Sequence, residues 1–405
     1  MWDRELYSKI WRELSAEKSM VLVVGPRQVG KTTLAKMIAS EYTNHLYFNW
    51  DIPADRVKLI GNPGFFTELD RRDDSIPLVV LDELHKYADW KNYLKGVFDQ
   101  YHTRYQFMIT GSGRMDIYRR GGDSLAGRYL LFHMWPFTMV ELCGRSRTLE
   151  DFLRDPLQLS MMDFDRHREI WRQKSSLSGF PEPYLSGRKA SYRRWSNTYT
   201  NQILREDIRD LTAVRNLGQL ETLYHLLPSR VGSSLSVPSL ARDLKISYNS
   251  VRSWLDILER FFMIFSVPTW TGKISRAIQK ERKVYLLDTP RIDEPGARLE
   301  NMVALELKCA VTRLNDLGLG DFSLHFVKNK EGQEVDFLLT ERNRPLVLIE
   351  AKHKDQAPSS ALLRFQSELG VPAAQLVEEM DSFRIREEGP GILFSPACQW
   401  LAQLP

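Results

Sequence analysis

The stretch Gly25-Pro26-Arg27-Gln28-Val29-Gly30-Lys31-Thr32 decides the fold, and with Thr33 it reads as the wall of an anion cradle. Its form is GxxxxGK[ST]. Small residues let successive backbone N–H groups wrap one phosphate, and the helix that begins near Lys31 presents its positive end to the same place. Lys31 then reaches the β- and γ-phosphates of ATP, and the Thr32 hydroxyl binds Mg²⁺. An octet of this kind also arises by chance, so its context carries the weight. Met20-Val21-Leu22-Val23-Val24 runs into Gly25 as an unbroken apolar strand, suited to a parallel sheet buried on both faces. Lys31 to Ala39 then follows a helical pattern.

Working outward, Leu78-Val79-Val80-Leu81 is a second buried strand that delivers Asp82 and Glu83 to its carboxyl end. Asp82 is expected to hold Mg²⁺ through its water shell, and Glu83 to polarise the attacking water. A third strand, Phe107 to Thr110, opens into Gly111-Ser112-Gly113, where Ser112 or Thr110 is placed to sense the γ-phosphate. Strands alternating with helices predict an α/β parallel sheet up to about residue 145.

Several of these residues carry a family resemblance. The GPRQxGKTT loop is joined by Asp82-Glu83-Leu84-His85-Lys86-Tyr87 with Trp90 and Leu94-Lys95, and by the Thr110-Gly111-Ser112 turn. Leu125-Ala126-Gly127-Arg128 follows, with Trp135-Pro136-Phe137 and Glu141. Together these resemble the prokaryotic AAA+ ATPases that carry a C-terminal domain of unknown function, over nearly the whole chain. The resemblance implies a homo-oligomeric ring, typically a hexamer, with ATP sites at subunit interfaces. A neighbouring subunit then supplies an arginine to the γ-phosphate, a role worth about 10³–10⁵ in rate in related NTPases. Arg128 is the candidate and Arg114 its rival.

Residues 146–230 turn helical and read as a lid. Residues 231–290 resemble a winged helix-turn-helix. Val237 to Leu244 and Ser250 to Phe262 are the two helices, the second with Val251, Trp254, Leu255 and Leu258 on one face. In DNA-binding versions the start of the second helix meets the major groove. Here that end offers Tyr248, Asn249, Ser250 and Arg252, and Lys273, Arg276, Lys280, Arg282 and Lys283 follow as candidate phosphate contacts. Asp256 and Glu259 lie on the same helix, and winged helices also serve as protein-packing modules. Asp288 to Gly296, with two prolines, reads as a linker.

In residues 291–405, Glu334 to Leu339 and Leu346 to Lys352 flank a turn at Asn343. A hairpin centred there sets Asp336 opposite Glu350 and Glu334 opposite Lys352, with paired Cβ atoms ~5 Å apart. Period two then gathers the three acids and the lysine on one face and an apolar set on the other. Two carboxylates that close repel unless a cation lies between them, so a second divalent ion, Mg²⁺ or Mn²⁺, is expected here. The Asp…Glu-x-Lys pattern resembles the PD-(D/E)XK nuclease fold. Its preceding helix often adds an acid, matched by Glu300, with Glu306 as a second choice.

Composition bounds the rest. The chain has 405 residues, 43% hydrophobic and 27% charged, which excludes a disordered protein and predicts two or three domains. A net charge of +4 permits nucleic-acid binding without demanding it. The longest apolar runs, such as Phe261 to Val267, fall far short of the ~18 residues of a membrane span. The Met-Trp-Asp-Arg-Glu start has no apolar leader, so a cytoplasmic protein is expected. Cys143, Cys309 and Cys398 form no CxxC pair and read as thiols in a reducing compartment. The expected fold is thus α/β: a P-loop core over residues 1–145, the lid, the winged helix, and a nuclease-like domain over residues 291–405. The expected function is an oligomeric ATPase that remodels or moves along DNA, with or without cleavage. The alternative is a nucleotide-dependent switch that binds a protein partner in defence, toxicity or transcription control.

Overall fold

Unbroken apolar runs become central strands because both of their faces are covered. A computed structural model describes residues 4–111, 125–144, 147–211, 216–272 and 281–405 of the chain. These form two compact units, Met1–Pro136 and Phe137–Pro405.

In the first unit, β1 (Met20–Val24), β2 (His45–Asn49), β3 (Leu78–Asp82), β4 (Gln106–Gly111) and β5 (Leu130–His133) make one sheet in the order β2-β3-β4-β1-β5. Every pairing is parallel. All five residues of β1 and all five of β3 are buried. β2 and β5 are edge strands with mixed exposure, and no long apolar run announced either of them. Helices α1 (Glu5–Glu17), α2 (Lys31–Ala39), α3 (Pro53–Gly61) and α4 (Trp90–Tyr101) accompany the sheet. α1 buries Tyr7, Ile10, Trp11 and Leu14, the apolar stripe expected of it. The order sets β4 between β1 and β3, so the loops after β1 and β3 face one another across the end of β4, the usual ligand position of an open parallel sheet.

The second unit begins with helices that include α5 (Phe164–Leu177) and α6 (Lys189–Asn201). α7 (Val237–Leu244) and α8 (Tyr248–Arg260) follow, then the antiparallel pair β6 (Ile264–Pro268) and β7 (Arg282–Leu286). Ser236 and Ser247 cap the two helices through their hydroxyl oxygens. α8 buries Val251, Trp254, Leu255, Ile257 and Leu258, each worth roughly 2 kcal/mol against exposure. α9 (Pro295–Asp316) then leads to a mixed six-stranded sheet. Its strands are β8 (Phe322–Lys328), β9 (Glu334–Glu341), β10 (Arg344–Lys354), β11 (Ala373–Glu379), β12 (Arg384–Arg386) and β13 (Ile392–Pro396), in the order β12-β13-β11-β10-β9-β8. α10 (Ser360–Leu369) connects β10 to β11, which run parallel.

Two expectations are corrected here. Asp288 to Gly296 is not a linker: Asp288 is buried and accepts a hydrogen bond from Ser196 at 2.6 Å, while Glu294 caps α9. Burial raises the Asp288 carboxyl above its ordinary value against the pull of Ser196 and Arg291. The β9–β10 hairpin turns at Arg342 and Asn343, both with positive φ, and Ile349 pairs with Phe337 as expected. It does not, however, have one apolar face and one open face. Leu338 and Leu348 are buried with Leu362 and Phe365 of α10, so residues of both parities are enclosed.

Candidate functional site

The loop after β1 is shaped by backbone geometry that side chains resist. Gly25 has φ +153°, and a Cβ there would lie 2.1 Å from the Met134 carbonyl oxygen. Gln28 and Gly30 also have positive φ. Arg4, 3% exposed, donates to the carbonyls of Val29 at 2.6 Å and Trp135 at 2.8 Å, tying the loop to the strand end beside it. Lys31 opens α2, and its ammonium donates to the carbonyls of Gly25 at 3.0 Å and Pro26 at 2.7 Å. Burial pulls Lys31 down to about 8, only partly offset by Glu83 and Asp82.

Asp82 is fully buried and gathers three hydroxyls. Thr32 donates to its Oδ2 at 2.8 Å, Tyr47 donates to the same oxygen at 2.5 Å, and Thr110 donates to Oδ1. The Thr32–Asp82 bond joins the phosphate loop to the acidic strand end and is the pair the sequence assigned to Mg²⁺. Burial first and the bond to Asp82 second hold the Tyr47 hydroxyl above its ordinary value. Thr110 supports Asp82 from β4. Glu83 sits in the left-handed region at φ 57°, uncommon for a residue with a side chain and frequent at functional sites. Its carboxylate is 3.1 Å from Lys86, which also holds Asp51. These residues fit an ATP–Mg²⁺ complex: a glycine-shaped loop, an ammonium whose hydrogen-bond partners among the described residues are carbonyls, and a hydroxyl–carboxylate pair.

Arg128 lies against its own chain, with Nε 2.7 Å from Asp99 Oδ1. Ser112 and Arg114 lie outside the described residues. In the second unit, Tyr248, Asn249 and Arg252 are exposed at the start of α8, whereas Ser250 is engaged with Ser247 in the helix cap. Lys273, Arg276 and Lys280 lie outside the described residues.

Lys283 was read as a candidate DNA-phosphate contact, and the structure corrects this. Its side chain is 1% exposed and turns inward from β7. Its Nζ lies 3.0 Å from Glu300, 2.5 Å from Glu334 and 3.6 Å from Asp336. Burial works against its charge, yet the carboxylates of Asp336, Glu300 and Glu334 outweigh that and raise it well above an ordinary lysine. Burial and the neighbouring Asp336 push Glu300 up, while Lys283 and Tyr285 pull it back. The Tyr285 hydroxyl donates to Glu300 at 2.8 Å, and Asp336 Oδ2 accepts the Ala351 N–H at 2.9 Å. Glu350 is buried, with Lys352 3.2 Å from its Oε1. So Glu300, Glu334 and Asp336 converge on Lys283, a cation that belongs to the chain, while Glu350 pairs with Lys352. Among the described residues no group of three or more His, Cys, Asp or Glu side chains is arranged to hold a metal ion. Glu306 takes no part: it is buried with Lys174 and accepts the Met139 N–H.

Sequence reasoning missed Arg4, Tyr47 and the role of Lys283. The strand-like His45-Leu46-Tyr47-Phe48-Asn49 was a usable signal for Tyr47; nothing local marks Arg4.

Comparison with known proteins agrees with the first unit. Residues 17–143 match the AAA domain family. Residues 168–290 and 295–394 match two domain families of unknown function. An uncharacterised protein of Mycobacterium tuberculosis is 23% identical over 340 residues, covering 80% of this chain and 68% of its own. One from Methanocaldococcus jannaschii is 24% identical over 371 residues, covering 82% and 75%. Solved structures similar to this chain include a Walker-type ATPase of Pyrococcus abyssi, with 16% identity, TM-score 0.42, and 72% and 95% of the two chains covered. Another is the Aeropyrum pernix ORC1 protein in complex with DNA, with 13% identity, TM-score 0.35, and 75% and 93% covered. The first unit has a parallel-sheet, P-loop core like that of AAA domains, in an α/β chain whose second unit carries a mixed sheet. No helix among the described residues is long and apolar enough to cross a membrane.

Proposed function

We propose that the chain hydrolyses ATP as an oligomer and acts on DNA through the exposed end of α8. The observation that carries the ATPase reading is the Thr32–Asp82 bond, with Lys31 and Glu83 on either side of it. Thr32 and Asp82 would hold the Mg²⁺ of bound ATP, which would neutralise charge on the β- and γ-phosphates. Lys31 exchanges its carbonyl partners for phosphate oxygens. Glu83 leaves Lys86 and takes a proton from the attacking water. Arg128, released from Asp99, reaches the γ-phosphate of a neighbouring subunit. Residues 146–230 act as the lid and 231–290 as the DNA module, where Tyr248, Asn249 and Arg252 meet the duplex and a net charge of +4 favours the encounter.

The test is the ATPase rate of the full chain against single-stranded, duplex and branched DNA. A rise with at least one form supports the proposal; a rate that no form changes overturns its DNA part. The second reading, a nucleotide-dependent switch for a protein partner, is favoured by the Glu83–Lys86 pair, a contact that nucleotide binding would have to rearrange. DNA cleavage is not part of the proposal, because the C-terminal acids already have a cation.

A further inference from the structure

Independently of the DNA reading, we infer that Lys283 is a built-in counter-cation: it occupies the space among Glu300, Glu334 and Asp336 and keeps them from a metal-binding arrangement, and its removal lets those acids close on a divalent cation. The argument begins with placement. The three acids come from two elements, α9 and β9, and the ammonium comes from a third, β7. Three carboxylates drawn together at low exposure require positive charge between them. Lys283 supplies it within 2.5–3.6 Å of all three, with its stem enclosed and its ammonium 5.6 Å from the centre of the Phe326 ring. The fit around Glu300 is close on its other side as well, since a Cβ on Gly232 would lie 3.0 Å from Oε2.

A second observation bears on the charge of the place. Glu350, 3% exposed, follows Ile349, the partner of Phe337, and so sits one step along the hairpin beside Asp336. Its Oε1 lies 3.2 Å from Lys352, while its Oε2 is buried without a hydrogen-bond partner among the described residues. One ammonium against Glu300, Glu334 and Asp336 leaves the cluster negative when all are ionised. A divalent ion would satisfy it better, but Mg²⁺ or Mn²⁺ needs oxygens at about 2.1 Å around a centre that Lys283 Nζ occupies. The two cations therefore exclude one another.

The experiment titrates Mn²⁺ into nucleotide-free full-length chain and follows the free-ion EPR signal. Wild type is expected to take up no ion at this cluster below about 1 mM. Lys283→Met, close in shape and uncharged, is expected to bind one Mn²⁺ at least ~10-fold more tightly. Adding Asp336→Asn to that variant should abolish the binding. Should Lys283→Met fail to fold, Lys283→Met/Glu334→Gln removes one excess charge and should bind the ion in its place. The inference is overturned if wild type binds Mn²⁺ tightly in a manner that Asp336→Asn removes. It is also overturned if the folded Lys283 variants bind no better than wild type. The wild-type arm decides by itself whether the resting cluster is closed.

Discussion

Two buried lysines stand in opposite circumstances. Lys31 faces two backbone carbonyls, and burial draws it down to about 8. Lys283 faces three carboxylates, which hold it well above the ordinary lysine value despite burial. The first is an ammonium whose strong anionic partner must arrive from outside. The second has its anions built into the chain. The same side chain, buried in both places, thus marks a site that waits for a ligand in one unit and a site that has closed in the other. What separates them is the chemistry of the acceptors: carbonyl dipoles stabilise an ammonium less than a carboxylate does at the same distance.

The largest break in this comparison is at Lys31. Lys31→Ala removes the charge that meets the phosphates, and ATP binding should disappear in a calorimetric titration. Glu83→Gln should still bind ATP while hydrolysis falls about 10²–10⁴-fold, the worth of a positioned base. Normal turnover in that variant would remove Glu83 from the mechanism. Arg128→Ala should lose hydrolysis by about 10³ with affinity kept. Mixing it with Glu83→Gln subunits should restore part of the rate, because some interfaces then pair an intact glutamate with an intact arginine.

At Lys283 the expected effect falls on stability. Lys283→Met leaves three half-buried carboxylates without their cation, a loss of about 3 kcal/mol near pH 8. The sign of the pH dependence follows from Glu300, which burial already pushes up to about 7 in the intact chain. A carboxyl raised in the fold contributes stability that is fully present below its ordinary value and is lost as pH rises through the folded one. Without Lys283, which pulls it back, Glu300 is raised further. The destabilisation should therefore shrink from pH 8 toward pH 5, measured by urea denaturation at both. A loss that does not change with pH would mean that the acids are not the partners that matter.

The contrast between the lysines also shows what the sequence could carry. The phosphate loop was legible because its residues are contiguous and their spacing is itself the geometry, from Gly25 to Thr32. The hairpin itself was legible from its turn at Arg342 and Asn343, but its register was not fully so: the turn pairs Glu341 with Arg344, and a bulge between Pro345 and Val347 shifts the strands into the expected Phe337–Ile349 pairing. The cation at the acids was not, because Lys283 reaches them from another element, and a basic strand after a winged helix reads naturally as a phosphate contact. Glu300 and Glu306 share α9, yet one meets Lys283 and the other Lys174; only the packing of α5 and β7 separates them. Tyr47 was hidden in an edge strand whose pattern is mostly half-exposed.

A smaller effect sharpens the claim that Lys31 is waiting. At pH 8.5 a lysine with a pKa near 8 is about three-quarters deprotonated, and phosphate contact restores the proton. ATP binding at pH 8.5 should then take up roughly 0.7 proton, and at pH 7 only about 0.1. Calorimetry in buffers of different ionisation enthalpy reads this directly. Equal uptake at the two pH values would show that Lys31 is fully charged before ATP arrives.

The smallest effect belongs to a third cation, on the surface. Arg128 and Asp99 form a pair whose sides are about a quarter and a half exposed, 27% and 48%. Solvent screens such a pair, so breaking it from the Asp99 side should leave the melting temperature unchanged. The same substitution separates two roles for the arginine. If Arg128 serves a neighbouring subunit, Asp99 merely parks it, and Asp99→Asn should keep turnover within about five-fold of wild type while Arg128→Ala does not. If the pair itself holds the strand end in place, the two substitutions should cost the same rate. Steady-state ATPase assays of both variants, at protein concentrations where assembly has been verified, distinguish a cation held in reserve from one already in use.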